Sequence, residues 1–202
     1  PHALRVAVVG VAIAFAVTGC GDDGTRATWE LPNADLAGTR AVAGGAIDAG
    51  SARKLRPQWR FRFDERPTVT GIYASTPVAD RTTVYVQDLR SNVFALDSET
   101  GAVRWRHRFD APNEGPNGLA VAGARVYGST DSDAFALSTR DGRQLWQRHL
   151  TSATQQFVDV APVVWRGLVF LSTVGYAPGG RGTIYALDAR TGRIQWQFDT
   201  IE

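Results

Sequence analysis

Methionine is absent from the 202 residues, cysteine occurs once (Cys20) and lysine once (Lys54). A single cysteine excludes an intramolecular disulfide and any Cys₄ or Cys₂His₂ zinc site built by this chain alone. The three histidines, His2, His107 and His149, show no ligand spacing, and no GxSxG, HExxH or GxxxxGK[ST] motif is present. Neither sign of charge predominates: 22 Lys and Arg stand against 20 Asp and Glu, for a net charge of +2. That balance leaves no electrostatic footprint for nucleic acid as a partner. The longest apolar run, Val6 to Val17, has twelve residues, too few to cross ~30 Å of hydrocarbon comfortably. A hydrophobic fraction of 44% with 21% charged residues excludes disorder and collagen. The length allows one or two domains, burying about 70% of the unfolded chain's surface. Because the chain opens on Pro1 rather than Met, we expect residues to precede it.

Arg5 followed by that apolar run has the form of a signal-peptide n-region and h-region. Val17-Thr18-Gly19-Cys20 then resembles the bacterial lipobox, in which the cysteine is lipidated and becomes the mature N-terminus. The resemblance implies that residues 1–20 are a lipoprotein signal and that Cys20 carries the lipid. The mature protein is then extracytoplasmic and held at a membrane surface, with affinity growing by about 0.8 kcal/mol per buried CH₂. Residues 21–28, GDDGTRAT, read as a flexible polar tether.

Self-similarity governs the remainder. VFALDSETGAVRW (93–105), AFALSTRDGRQLW (134–146) and IYALDARTGRIQW (184–196) align without gaps. Aromatic-Ala-Leu recurs, a turn ends in Gly101, Gly142 or Gly192, and four residues later stands Trp105, Trp146 or Trp196. With Trp59 in LRPQWRF, the tryptophans follow one another at 46, 41 and 50 residues. Each repeat reads as four short strands; in the third they are 159–165, 168–174, 183–188 and 194–199. The turn chemistry is local: Asp188 and Thr191 bond nearby N–H groups, and Gly192 takes a positive φ beside a bulge. No segment shows convincing 3.6-residue periodicity, so helix is expected to be nearly absent after the signal.

Four strands every 40–50 residues predict an all-β fold, a beta-propeller of four-stranded antiparallel blades. No terminal Trp-Asp pair closes the repeats, which weakens a WD40 reading. ALDSETGAVRW and ALDARTGRIQW resemble the tryptophan-docking repeat of pyrroloquinoline quinone (PQQ) propellers. WELPNADLAGTRAV (29–42) with LRPQWRF is similar to the N-terminal lead-in of quinoprotein alcohol dehydrogenases. The resemblance implies that each Trp packs against the next blade over its turn glycine. It also implies that residues 29–202 are about three blades plus an N-terminal strand of a propeller that has eight when complete. Eight blades need about 360 residues, so we expect the remaining blades to lie beyond this chain. Alone, it would expose a sheet edge and an unpaired blade face.

The loops that follow the second strands and those that join blades share one face of a propeller. The candidates are 110–118, 151–159 and 174–182. The glycines of the last let backbone N–H groups approach an anionic ligand, with Arg181 as a bidentate fork. By the resemblance this face would hold PQQ and Ca²⁺, through Asn117, Asp159, Gly175, Ala177 and Arg181. Four departures accompany it. Ala177 stands where the family has its Ca²⁺-ligating glutamate, Asn117 where it has a PQQ-contacting arginine, and Asp159 where it has a threonine. The adjacent cysteine pair has no counterpart. Ca²⁺ takes six to eight oxygen ligands, so loss of the glutamate weakens both affinity and activity. Asp131, Asp133 and Asp159 could supply carboxylates in its place, but read first as turn caps at strand ends. No catalytic residue is assigned within this chain. Three functions stay open: a PQQ-dependent oxidoreductase of alcohols or sugars, a non-catalytic scaffold gripping an envelope protein as outer-membrane assembly propellers do, and a small-molecule binder.

Overall fold

The computed structural model describes residues 28–42, 45, 47–63, 75–113, 116–151, 156–175 and 182–200. Residues 1–20 with Cys20, nearly all of the 21–28 tether, and Ala177 and Arg181 lie outside the described residues.

Short, mostly apolar runs between glycine-containing turns produce thirteen strands among the described residues. Blade 1 comprises β1 (Val78–Ala79), β2 (Thr83–Gln87), β3 (Val93–Asp97) and β4 (Val103–His107). Blade 2 comprises β5 (Ala120–Ala122), β6 (Arg125–Ser129), β7 (Asp133–Ser138) and β8 (Gln144–His149). Blade 3 comprises β9 (Gln156–Val158), β10 (Val163–Trp165), β11 (Leu168–Gly175), β12 (Thr183–Asp188) and β13 (Ile194–Asp199). All pairings within the blades are antiparallel; β1–β4, β5–β8 and β10–β13 each run as a meander, and β9 joins blade 3 off that path, on β11. The only helix among the described residues is a 3₁₀ turn, Ala52–Lys54. The fold is therefore the all-β propeller that the repeat predicts.

One register unites the blades. Tyr85, Ala95 and Trp105 stand abreast on β2, β3 and β4. Tyr127, Ala136 and Trp146 do the same in blade 2, and Phe170, Ala186 and Trp196 in blade 3. The central alanine leaves room for its two aromatic neighbours to meet across it. Their centroids lie 5.8, 6.1 and 5.9 Å apart. Just beyond the alanine, each third strand slips register, at Ala95/Leu96, Ala136/Leu137 and Ala186/Leu187. Such a bulge increases the local twist.

The turn between third and fourth strands is built from side chains. Asp97 Oδ1 accepts from the N–H groups of Glu99 and Thr100 at 3.0 and 2.9 Å and from Thr100 Oγ1. Asp188 Oδ1 does the same for Arg190, Thr191 and Thr191 Oγ1. In blade 2 Ser138 and Asp141 divide the task, accepting from the N–H groups of Arg140 and Arg143.

The core lies between blades rather than within one. Val78, Tyr85, Ala95 and Trp105 of blade 1 pack on Val121, Val126, Phe135 and Leu137 of blade 2. Tyr127, Ala136 and Trp146 of blade 2 pack on Val169, Leu171, Tyr185 and Leu187 of blade 3. On the other side of blade 1, Trp59, Phe61 and Phe63 cover Val86, Phe94 and Leu96. Burying roughly 200 Å² of an indole corresponds to roughly 5 kcal/mol of transfer free energy.

Two features differ from the sequence expectation. Segment 151–159 reads as a loop, yet Gln156–Val158 form β9, against Thr173–Gly175 at the end of β11. A strand of eight residues is long enough to serve β12 with its first part and β9 with its last. The first strand of blade 3 is correspondingly shorter than 159–165, covering Val163–Trp165. The N-terminal segment also clamps two blades: Trp29 exchanges backbone bonds with Ala79 at 2.8 and 2.7 Å, and Glu30 O accepts from Val121 N.

Candidate functional site at the inner strands

Every blade begins its innermost strand on the face where its second strand ends. Three chain segments lead into those strands and run side by side. Thr76 forms a parallel bridge with Gly118, and a Cβ on Gly118 would lie 3.0 Å from Ala161 Cβ. Asn117 and Asp159 sit just before Gly118 and Ala161, so two of the expected site residues lie on neighbouring lead-ins. Gly175 stands one layer out, paired with Gln156.

Asn117 is buried and its Nδ2 has no hydrogen-bond partner. Burial pushes the carboxyl of Asp159 above its ordinary value, because desolvation penalises the charged form. Asp133 opens β7, where its carboxylate meets His149 Nδ1 at 2.9 Å and Gln147 Nε2 at 3.1 Å on β8, while the cap expected of it comes from Thr130 Oγ1, which accepts from Ser132 N and Asp133 N. The carbonyl of Asp131 accepts from Val158 N at 2.7 Å.

A second set of polar groups escaped the sequence reading. Gln87 and Ser129 end β2 and β6, fully buried. Gln87 Nε2 donates to Ser129 O at 2.7 Å, crossing from blade 1 to blade 2. Asn113 Nδ2 reaches the same carbonyl at 3.3 Å. Asn92 ties the blade 1–2 connection down: its Oδ1 accepts from Phe109 N and Asp110 N, both at 3.0 Å, while its Nδ2 donates to Asp88 Oδ2. Gln156 Nε2 donates to Thr173 Oγ1 at 2.9 Å. The available signal was a polar residue closing an apolar strand, TVYVQ and RVYGS.

The opposite ends of the blades carry the docking turns. Trp59 Nε1 donates to Ser98 O at 3.1 Å, Trp105 Nε1 to Thr139 O at 2.9 Å and Trp146 Nε1 to Ala189 O at 3.1 Å. Each ring lies against Gly101, Gly142 or Gly192 of the following blade. Two residues beyond the indole, His107 Nδ1 donates to Gly142 O at 2.9 Å and Arg148 Nε to Gly192 O at 3.0 Å. Trp196 has no described sheet beyond it and is 46% exposed.

Blades of four antiparallel strands, meeting through a tryptophan of one and a turn glycine of the next, define a β-propeller with tryptophan-docked blades. Residues 43–200 match the family described as outer membrane protein assembly factor BamB, and the chain belongs to it. It is 30% identical over 166 residues to the quinohemoprotein alcohol dehydrogenase ADH IIB of Pseudomonas putida, an alignment covering 77% of this chain and 24% of that protein. It is 31% identical over 140 residues to the outer membrane protein assembly factor BamB of Yersinia pestis, covering 64% and 34%. The solved quinohemoprotein alcohol dehydrogenase of Comamonas testosteroni superimposes with a TM-score of 0.77 at 25% identity, over 86% of this chain and 27% of that one. The chain thus spans about a quarter to a third of the length of these relatives.

PQQ carries carboxylates and Ca²⁺ needs several oxygen ligands, which sets a test for the described residues. The buried polar groups of this face are hydroxyls and amides, and Asp88 is the one charged side chain among them. Among the described residues no Lys, Arg or His is buried as a whole residue, although Arg125 Nε is buried at the start of β6, and no three of His, Cys, Asp and Glu in them lie together as a metal site. Ala177 and Arg181, which the resemblance sets against the quinone and its metal, lie outside the described residues.

Proposed function

We propose that the chain is part of an exported, lipid-anchored propeller of quinoprotein descent that binds a small alcohol- or sugar-like molecule on the face of its inner strands. One observation carries this reading: the buried polar lining of that face is made of amides and hydroxyls without a cation. Neutral donors and acceptors in a desolvated setting favour a neutral, hydrogen-bonding ligand, because a charged one loses its hydration without a paired countercharge. Equilibrium titration of the intact protein with small polyols and sugars, beside PQQ with Ca²⁺, tests it. Saturable binding of the neutral ligands supports the reading; a bound-quinone spectrum with dye-linked alcohol oxidation would overturn it in favour of a PQQ-dependent dehydrogenase. That second reading draws on the 30% identity to a quinohemoprotein alcohol dehydrogenase.

A scaffold role rests on the family match. Under it, exposed loops grip an envelope protein, by strand addition among other modes, and the polar face is structural. Co-purification of one stoichiometric partner with no ligand heat favours the scaffold.

Residues 1–20 serve in this proposal as the lipoprotein signal, Cys20 as the lipidated residue and residues 21–28 as tether, with the propeller beginning at residue 29. Among the described residues no helix is long and apolar enough to cross a membrane. A Cys20→Ala variant that still fractionates with membranes would remove the anchor from the proposal.

A further inference from the structure

The whole-chain balance of 22 basic against 20 acidic residues conceals a separation between the two ends of the blades. In each blade two turns sit together at one end. Ser98 N donates to Thr82 O at 2.9 Å, Thr139 N to Ala124 O at 3.1 Å and Ala189 N to Gly167 O at 2.9 Å. At this end blades 2 and 3 expose Arg140, Arg143, Arg166, Arg190 and Arg193, none of them in an ion pair among the described residues. The carboxylates beside them, Asp141 and Asp188, are bonded to the backbone of their own turns. Blade 1 lacks the excess, with Arg81 and Arg104 against Asp80, Asp97 and Glu99. The other end of blades 2 and 3 carries the opposite sign, in Asp131, Asp133, Asp159 and Asp199.

The chain enters the fold at the arginine end. Trp29 bridges Ala79 antiparallel, so Thr28 comes beside Asp80, where β1 turns into β2. Glu30 O accepts from Val121 N, which fixes the entry between blades 1 and 2. In the reading above, residues 21–28 join this point to the lipid on Cys20. Eight residues span at most about 29 Å, so a lipid there draws the arginine end toward the headgroups.

The chemistry of this end selects a partner. A guanidinium meets a phosphate through two parallel hydrogen bonds and keeps its charge at any ordinary pH. Each basic side chain near an anionic leaflet strengthens attachment about fivefold, over a range of about 10 Å at 0.1 M salt. Turn tips project from the ends of the sheets, which suits a flat partner. We infer that the turn end of blades 2 and 3, through Arg140, Arg143, Arg166, Arg190 and Arg193, docks on the anionic phospholipid headgroups of the membrane that holds the anchor. The inference deepens the lipid-anchored reading above, on which it rests for the tether, and adds an orientation. The aspartate end, where β2 and β6 finish, faces away from the bilayer.

Co-sedimentation of the intact protein carrying Cys20→Ala, with phosphatidylcholine vesicles and with mixed phosphatidylcholine–phosphatidylglycerol vesicles, reads the surface without the lipid. Arg140→Gln, Arg190→Gln and Arg193→Gln change exposed side chains and leave the turn carboxylates in place, so these variants fold; equal urea midpoints check it. Arg90→Gln, in the loop at the opposite end of blade 1, is the control. The expected result is binding to the mixed vesicles and not to the neutral ones, falling as salt rises. Each turn variant weakens it about fivefold and the three together about a hundredfold, while Arg90→Gln leaves it unchanged. Equal binding to both kinds of vesicle at low salt, or a triple variant that binds like the parent, overturns the docking surface. Saturation by an acidic peptide without binding to mixed vesicles overturns the lipid assignment. The mass of the mature N-terminal peptide reads the anchor separately. A lipidated Cys20 with no preference for anionic vesicles overturns the docking alone; an unlipidated Cys20 overturns the anchor and the tether argument with it. A salt wash before fractionation strips Cys20→Ala protein that the arginines alone hold.

Discussion

Trp105 closes over Gly142 so tightly that a Cβ on that glycine would lie 2.5 Å from Trp105 Cε3 and 2.8 Å from Cδ2. Gly142 also has φ +69°, in the left-handed region. Glycine is required there twice over, by backbone conformation and by contact with the ring. The pair Trp146 and Gly192 repeats the relationship at 2.6 Å, and Trp59 and Gly101 at 2.7 Å.

Gly142→Ala should therefore cost more than backbone strain. Strain in the left-handed region is about 1–2 kcal/mol, and forcing the ring aside adds about 1–3 kcal/mol. Gly123 supplies the comparison, with φ +58° and nothing within 4 Å of an added Cβ. Urea unfolding should show Gly142→Ala destabilised by about 3 kcal/mol or more and Gly123→Ala by about 1 kcal/mol. Equal effects would remove the ring contact as the reason for the glycine.

The docked and undocked indoles should differ when truncated. Trp105 is buried between blades, whereas Trp196 lies half in solvent beside an exposed Phe198. In this chain Trp105→Ala should cost about 3–5 kcal/mol and Trp196→Ala about 1 kcal/mol or less. Chemical denaturation of the two variants measures the difference.

Acid should act through the turn carboxylates. The Arg104 guanidinium, 2.7 Å from Asp97 Oδ2, and then the bonds from Thr100, hold the Asp97 carboxyl down to about 2. Hydrogen bonds from Thr191 and its neighbours lower Asp188, and those from Ser138 and Arg143 lower Asp141. A folded-state pKa below the unfolded one gives stability that is present above the unfolded value and is lost as pH falls through the folded value. The decline should run from about pH 4 to about pH 2. Asp97→Asn should flatten it, as urea midpoints collected over that range would show.

Alkali should act through the tyrosines. Burial, reinforced by the hydrogen bond from Tyr85 Oη to Asp80 at 2.8 Å, pushes the Tyr85 phenol far above its ordinary value. Burial raises Tyr127 and Tyr185 as well. A raised folded pKa keeps its stability below the unfolded value of about 10 and loses it as pH climbs beyond. Ultraviolet titration should therefore find these three phenols ionising only as the protein unfolds; reversible native ionisation of all three near pH 10 would contradict their burial.

Which parts of this were legible beforehand follows the range of the forces. The strands of blade 3 at 168–175, 183–188 and 194–199 stand almost where alternation and turn residues put them. Asp188, Thr191 and Gly192 act within one turn, and such chemistry is written in adjacent residues. The site was less legible. Asn117 and Asp159 come to neighbouring lead-ins, and the one local sign of Gln87 and Ser129 is a polar residue closing an apolar strand, which does not by itself say that the residue is buried between blades.

Sequence alone determined the repeat, the strand-turn grammar and the residues that lock each turn, because these rest on bonds and dihedrals between neighbours. Tertiary structure alone decided that β9 extends blade 3, that Trp29 and Glu30 clamp two blades, and that Gln87 reaches from blade 1 to the Ser129 carbonyl of blade 2. Those outcomes depend on which strand meets which, at separations of fifteen to nineteen residues for β9 and of forty and more for the other two, and on the removal of water that only packing between blades brings about.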